Sequence, residues 1–328
     1  MDKRAHVSVS QDRENPYASA QRLRVSVSPH IHSGRSTSAI MRDVIIALLP
    51  TTVAGVVIMG LRALLVVAVC VASCVVFEAL FNLITKKDQT VGDLSAALTG
   101  LLLALNLPAT IPIWQCVVGC LFAIVIVKCL FGGIGCNLVN PAITARVFML
   151  VAFTSMISPV FPQIVDTVSG ATPLVDMAAG NTPDLLDLFL GLKGGSIGEV
   201  CGAALLVGFV YLLVRRVITW HIPVSFVGVV FLFSFCMEGF DPIRALAMVL
   251  SGGLLIGAIF MATDYVTSPS TAAGKLIFGV GAGLITCLIR YFGSYPEGVS
   301  FAILFMNILV PYINVWTRRR VFGGVRHE

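Results

Sequence analysis

Segments of roughly 14 to 22 mostly apolar residues follow one another along this chain with short polar breaks between them, and about 20 such residues span the hydrocarbon core of a bilayer. Ten are present, at 44–60, 63–84, 94–107, 113–131, 141–158, 198–218, 222–238, 243–263, 275–292 and 299–317. The runs are continuous rather than alternating, which predicts helices and not the strands of a barrel. The third is short for a full crossing and stops at Pro108, so the count of spans is about ten. Only 12% of the residues are charged and the mean hydropathy is +0.94, against about 25% charged in soluble domains. Such a chain cannot cover a water-facing surface, so its solvent is lipid. The expected class is an all-α polytopic membrane protein.

Residues 1–43 differ in kind, being rich in Ser, Arg and His without a long apolar run, and read as a solvated tail in which Leu23, Val25 and Val27 could form a short interfacial strand. They lack the early apolar segment and cleavage site of a signal peptide. Charge placement then orients the chain. With ten spans and an inside N-terminus, 16 of the 22 basic residues fall on inside segments, among them Arg42, Lys86, Lys87, Arg215, Arg216, Lys275 and Arg318 to Arg320. Outside loops hold only Arg62, Lys193 and Arg244. The positive-inside rule puts both termini in the cytoplasm. The expected division is a cytoplasmic tail (1–43), a first membrane unit (44–158), an outward-facing loop (159–197), a second membrane unit (198–317) and a cytoplasmic tail (318–328). The net charge of +5 follows from this topology and needs no nucleic-acid partner.

The two membrane units resemble each other. Gly119 to Lys128 and Gly281 to Arg290 are ten-residue apolar stretches that start with Gly and end with a base. Ala145-Arg146-Val147-Phe148-Met149 matches Ala302-Ile303-Leu304-Phe305-Met306 at three of five positions, in the same order within each half. Five spans precede the central loop and five follow it, so the second copy would enter the membrane upside down, giving two inverted five-helix repeats with sites near the midplane. General likeness among apolar helices is the competing explanation.

Polar stretches interrupt both units. Asn106-Leu107-Pro108-Ala109-Thr110-Ile111-Pro112 breaks the first, and Thr263 to Thr271 breaks the second. Unwound backbone at membrane depth must be buried in protein or line a wet cavity, so such breaks commonly mark substrate, cofactor or ion sites. Ordinary interfacial turns are the plainer alternative. Asp264 follows a long apolar span with no base nearby in sequence. A carboxylate within a span costs about 2.5–3.5 kcal/mol on insertion scales, so it usually has a partner or a role. Arg146 invites the same argument, with a structural ion pair as the plainer reading.

Four stretches, in order, carry a family likeness. Asp166-Thr167-Val168-Ser169-Gly170-Ala171-Thr172-Pro173-Leu174 resembles the covalent flavin site of the RnfD and NqrB subunits of ion-translocating redox complexes. Ile40 to Pro50, Gly132 to Ala142 and Met261 to Pro269 are similar to further stretches of the same family. The likeness runs over about 40–317, and the compact length is closer to RnfD than to NqrB.

The resemblance implies that Thr172 carries FMN through a phosphoester to its side-chain oxygen, installed by a separate flavin transferase. Ser169, Gly170 and Ala171 would let that transferase approach the backbone, with Gly170 permissive in its dihedrals, and Asp166 holds the acidic position upstream. Thr172 is then an anchor; the redox chemistry belongs to the flavin. The resemblance further implies a membrane electron-transfer subunit of an Rnf-type complex, coupling ferredoxin:NAD+ electron transfer to Na+ or H+ translocation in a bacterial or archaeal cytoplasmic membrane. Its partners would be the other membrane and peripheral subunits, which supply the ferredoxin and dinucleotide sites absent here. Some relatives also hold a non-covalent riboflavin near the cytoplasmic side. Asp264, Thr267 and Asn140 are the candidates for such a second flavin or for an ion. Alternatives are an NqrB-type subunit of a quinone-reducing Na+ pump and a stand-alone inverted-repeat transporter or channel, since fold does not dictate function.

Other reactive residues add little. Cys70/Cys74 and Cys116/Cys120 are each four apart on predicted spans, so each pair shares a helical face, but no CxxC occurs among the nine cysteines and buried soft thiols are expected rather than a metal cluster. The five histidines form no pair at ligand spacing inside a span. Trp114, Trp220 and Trp316 lie near span ends, as interfacial anchors do.

Overall fold

The computed structural model describes residues 36–153, 173–178, 183–191, 194–293 and 298–318. The regular elements of the described residues are all helices, without strands. The helices are α1 Thr37–Met59, α2 Leu61–Ile84, α3 Ser95–Leu105, α4 Ile113–Leu121, α5 Pro141–Ala152, α6 Pro173–Ala178, α7 Leu185–Leu190, α8 Gly202–Val214, α9 His221–Met237, α10 Pro242–Leu250, α11 Leu254–Ile256, α12 Ala272–Phe292 and α13 Val299–Trp316. Helix α4 continues as a π-helical stretch over Phe122–Cys129, and α11 continues as another over Gly257–Met261.

By length and composition, α1, α2, α12 and α13 are each long and apolar enough to cross a membrane. The pair α10 and Leu254–Met261 adds a fifth if it is taken as one span, bent by 66°. The other apolar segments form helices of 10–17 residues. The chain is thus polytopic and helical, with fewer full-length helices among the described residues than the apolar runs suggest. The segment 243–263 is mostly apolar, yet Ser251-Gly252-Gly253 breaks it, because two adjacent glycines weaken a helix and Gly252 takes a positive φ of +66°.

The starts of several helices are written locally. Asn140 caps α5 by accepting from Ala142 N and Ile143 N, with Pro141 at the first position, where its missing N–H costs nothing. Asp241 and Pro242 repeat the device on α10, and Thr271 caps α12 through Gly274 N. Helix α1 starts at Thr37 rather than at the tail boundary expected after residue 43. Arg42 and Asp43 therefore sit inside a helix, tolerated because Asp43 is ion-paired with Arg215 of α8 at 3.1 Å.

Packing ties the elements into one body. Helix α2 lies against α3 and α4, and α9 against α12. Helix α1 packs on α8, and α5 on α13. Gly119 of α4 faces Met149 of α5 so closely that a Cβ would collide with its sulfur. On α12, a Cβ at Gly281 would stand 2.7 Å from Met306 Cε and 2.8 Å from its Sδ. The residues matched between the two halves in sequence make the same contact in each.

Candidate functional site

The second sequence break and the start of α5 enclose a pocket whose mostly apolar walls carry a few polar side chains. Two adjoining cavities, of about 60 and 50 Å³, share Met41, Leu98, Leu102, Asn140 and Asp264 as walls. Each is several times the ~10–15 Å³ a water needs. Thr267 Oγ1 donates to Asp264 Oδ2 at 3.1 Å. Asn140, having capped α5, donates from Nδ2 to Met261 O at 3.4 Å, which leaves its amide committed to holding the break against α5. With its amide turned to satisfy both neighbours, Asn307 of α13 links these two residues, donating to Thr267 O at 3.1 Å and accepting from Asn140 N at 3.2 Å. The structure therefore brings Asp264, Thr267 and Asn140 together.

A buried ion pair adjoins the pocket and was not anticipated. Lys128 Nζ, a wall of the larger cavity, lies 2.8 Å from Glu78 Oε1 and 2.6 Å from Ser95 Oγ. Thr90 Oγ1 also donates to Glu78 Oε1 at 2.8 Å, and Asn82 Nδ2 donates to Thr90 Oγ1 at 3.0 Å. The pair sits where α4 has become π-helical, a distortion frequent at functional sites. A charge at the end of one apolar run and another late in a different run were the readable signal; their meeting, fifty residues apart, was not readable.

A second polar group forms where the first break meets the α10–α11 bend. Arg146 Nη1 donates to Asn106 Oδ1 at 2.5 Å, and Asn106 Nδ2 donates to Leu102 O at 2.7 Å. The backbone N–H groups of Ile197 and Gly198 donate to Leu107 O and Leu105 O at 3.1 and 2.7 Å, capping the exposed carbonyls of the break. Glu199 is buried beside Arg146. On the other side of the bend, Arg290 donates to Met248 O at 2.7 Å and to Ser251 O at 3.0 Å.

Asp166, Ser169, Gly170, Ala171 and Thr172 lie outside the described residues, as do Leu23, Val25 and Val27. Pro173 and Leu174, next along the chain from Thr172, are described and buried. The two cysteine pairs meet across the α2–α4 interface: all four are fully buried, Cys70 against Cys116 and Cys120, and Cys74 against Cys120. Cys120 Sγ approaches Cys70 O at 3.5 Å. These thiols pack the interface of the two helices.

A model of the NQR2, RnfD, RnfE family matches residues 24–323. The chain belongs to that family. A family relative from Acetobacterium woodii, named as a subunit of the Na+-translocating ferredoxin:NAD+ oxidoreductase complex, is 48% identical over 307 residues, covering 92% of this chain and 95% of its own. One from Clostridium ljungdahlii, named as a subunit of the proton-translocating ferredoxin:NAD+ oxidoreductase complex, is 39% identical, covering 92% and 96%. A third, from Escherichia coli and named as a subunit of an ion-translocating oxidoreductase complex, is 36% identical, covering 92% and 98%.

Proposed function

We propose that this chain is a membrane subunit of an Rnf-type ferredoxin:NAD+ oxidoreductase complex, that it carries FMN esterified to Thr172, and that it contributes to ion translocation. The observation that carries this reading is the match of nearly the whole chain to relatives named as subunits of such complexes. The FMN, when bound, supplies one- and two-electron redox chemistry; this chain holds and orients it. The remaining redox sites belong to partner subunits, a flavin transferase installs the group, and lipid surrounds the whole. We read the chain as multi-pass in a bacterial or archaeal cytoplasmic membrane with both termini cytoplasmic, from its basic residues.

The residues around Leu174 fit a phosphate-linked group. A Cβ at Gly252 would meet Leu174 Cδ1 at 2.9 Å and Arg290 Nη2 at 3.1 Å. The chain just after the attachment residue thus packs beside a guanidinium, the side chain best suited to a phosphate oxygen.

We further read the membrane part as two inverted five-helix repeats. The paired contacts Gly119–Met149 and Gly281–Met306 support it, as do Lys128 and Arg290, which lie near the ends of the matching stretches and each reach back to a serine at or just ahead of the start of an earlier short helix, Ser95 or Ser251. In this reading the Asp264 pocket opens toward the cytoplasm and takes the translocated ion with its water. A riboflavin there would require the cavity walls to part. Relatives are named for Na+ in one case and protons in another, and carboxylate and amide oxygens serve either.

The test is in-gel fluorescence after denaturing electrophoresis, comparing wild type with Thr172→Ala, each co-expressed with a flavin transferase. A fluorescent wild-type band that vanishes in the variant is expected. A dark wild-type band, with the transferase shown active on another substrate, would defeat the flavin assignment and favour a transporter.

A further inference from the structure

A line of short hydrogen bonds leads away from the buried Lys128–Glu78 pair. Lys128 has three N–H donors, and two of them go to Glu78 Oε1 at 2.8 Å and Ser95 Oγ at 2.6 Å. Ser95 Oγ in turn donates to Asp93 Oδ1 at 2.5 Å. Charge-assisted bonds run to about 2.5–2.9 Å, so neither link is loose. Lys128 and Ser95 are buried, Asp93 is half-buried, and the nearby residues 83–90 are exposed. The line therefore runs from the wall of the larger cavity, which Lys128 and Asp264 share, to the edge of the α2–α3 connection.

Simpler roles leave this arrangement unexplained. Asp93 Oδ1 also accepts from Ser95 N at 2.8 Å, which by itself fixes the first turn of α3 and needs no lysine. Glu78 is enough to neutralise Lys128, yet the ammonium also reaches a residue 33 positions away whose hydroxyl is bonded to a second carboxylate. The Glu78 branch leads no further: Thr90 donates to Oε1 and accepts from the Asn82 amide, which is not an acid. Cys74 of α2 and Cys129 also stand close enough to interact with the pair electrostatically, with Lys87 near Cys129. Na+ could follow the line only by displacing Lys128, because the Ser95 oxygen is committed on both sides. A proton displaces nothing, and lysine, unlike arginine, can give one up.

We propose that Asp93, Ser95 and Lys128 form a proton relay between the inside surface and the Asp264 pocket. This deepens the ion reading above and rests on it, both for the role of the pocket and for the inside placement of the α2–α3 connection. In one direction, a proton leaves Lys128 Nζ for Ser95 Oγ as the Ser95 hydroxyl proton passes to Asp93 Oδ1. The ammonium becomes an amine, the carboxylate becomes a carboxylic acid, and Ser95 keeps one hydroxyl proton. Asp93 then releases its proton to water, and a proton from the cavity restores the ammonium. The reverse sequence carries a proton from the inside water to the pocket. Glu78 is a positioning residue, holding Lys128 within reach of Ser95 in both charge states.

The experiment uses the assembled complex in liposomes, driven by reduced ferredoxin and NAD+, and compares wild type with Ser95→Ala, Ser95→Thr, Asp93→Asn and Asp264→Asn. Proton movement is followed with a pH-sensitive dye in sodium-free medium, in H2O and in D2O, and Na+ movement with a sodium-sensitive dye in sodium medium. Rates are expressed per assembled complex. Expected are proton movement by wild type with a solvent isotope effect, a fall of about tenfold or more in Ser95→Ala and Asp93→Asn, and near-wild-type movement in Ser95→Thr, which keeps the hydroxyl. A role in capping α3 alone would lower the yield of complex and leave the rate and the isotope effect where they were. Should Ser95→Ala fail to assemble, Asp93→Asn gives the answer instead, since its amide oxygen still accepts from Ser95. Wild-type proton movement in Ser95→Ala or Asp93→Asn overturns the relay and leaves the pocket reading intact. A wild-type complex that moves Na+ and no protons also overturns the relay, and the pocket reading then stands if Asp264→Asn loses Na+ movement. Undiminished ion movement in Asp264→Asn overturns the pocket reading and the relay together.

Discussion

Lys128 Nζ lies 2.8 Å from Glu78 Oε1, with 2% and 3% of the two side chains exposed. Such a pair has exchanged its hydration for one strong contact and the hydroxyls of Ser95 and Thr90. Replacing it by well-packed apolar residues is often neutral, whereas removing one partner strands a buried charge.

Glu78→Gln and Lys128→Met should therefore each destabilise the solubilised protein by about 3–5 kcal/mol, while the double variant costs clearly less than the sum. A thermal-unfolding double-mutant cycle reads the coupling. Additive losses would show that the two charges do not compensate each other.

Asp43 and Arg215 fasten α1 to α8. Asp43 is 5% exposed and receives Arg215 Nε and Nη2 together with Tyr211 Oη at 3.4 Å. Since Arg215 is itself half exposed, solvent screens much of the attraction, and the larger cost lies in leaving the carboxylate under-satisfied. Arg215→Ala is expected to cost about 1–3 kcal/mol and to be largely rescued by a second change, Asp43→Asn. Equal stability of Arg215→Ala and wild type would remove the latch.

Gly281→Val should overpack the α12–α13 contact by about 1–3 kcal/mol, with partial relief on adding Met306→Ala. Gly119→Val with Met149→Ala should behave alike, because the geometry is the same. If the second change relieves one half and not the other, the two contacts are not equivalent and the repeat loses its best support.

Asp264→Asn preserves the shape of the pocket and the neighbouring Thr267 hydroxyl while removing the charge. Ion-dependent electron transfer by the assembled complex should fall about tenfold or more, a barrier increase of at least ~1.4 kcal/mol, with covalent flavin content unchanged. Wild-type turnover in the variant would separate the pocket from ion movement.

Much of this was legible in the chain. Continuous apolar runs gave lipid as the solvent, Pro108 and the Thr263–Thr271 stretch gave the two breaks, and Asp264 stood out as a carboxylate with no neighbour of opposite sign. Glu78 carried the same signal and was overlooked, because it lies near the polar end of its run, where a charge looks ordinary. The bend at Ser251-Gly252-Gly253 hid inside an apolar run, since hydropathy registers polarity and not backbone freedom. Helix α1 begins seven residues early because Asp43 finds Arg215 far along the chain, a tertiary pairing that local composition does not encode.

The half-length of α3 has an electrical consequence. Its eleven residues rise only about 16 Å, against ~30 Å for the hydrocarbon core, and Leu254–Met261 is shorter still. Where water or mobile ions enter a break, the membrane voltage no longer falls across the full bilayer but is focused on the dry layer that remains. An elementary charge crossing that layer exchanges most of the ~2.3 kcal/mol available per 100 mV while travelling a fraction of the membrane's thickness. A protein of this shape can thus convert a displacement of a few ångströms into nearly the whole work of transport.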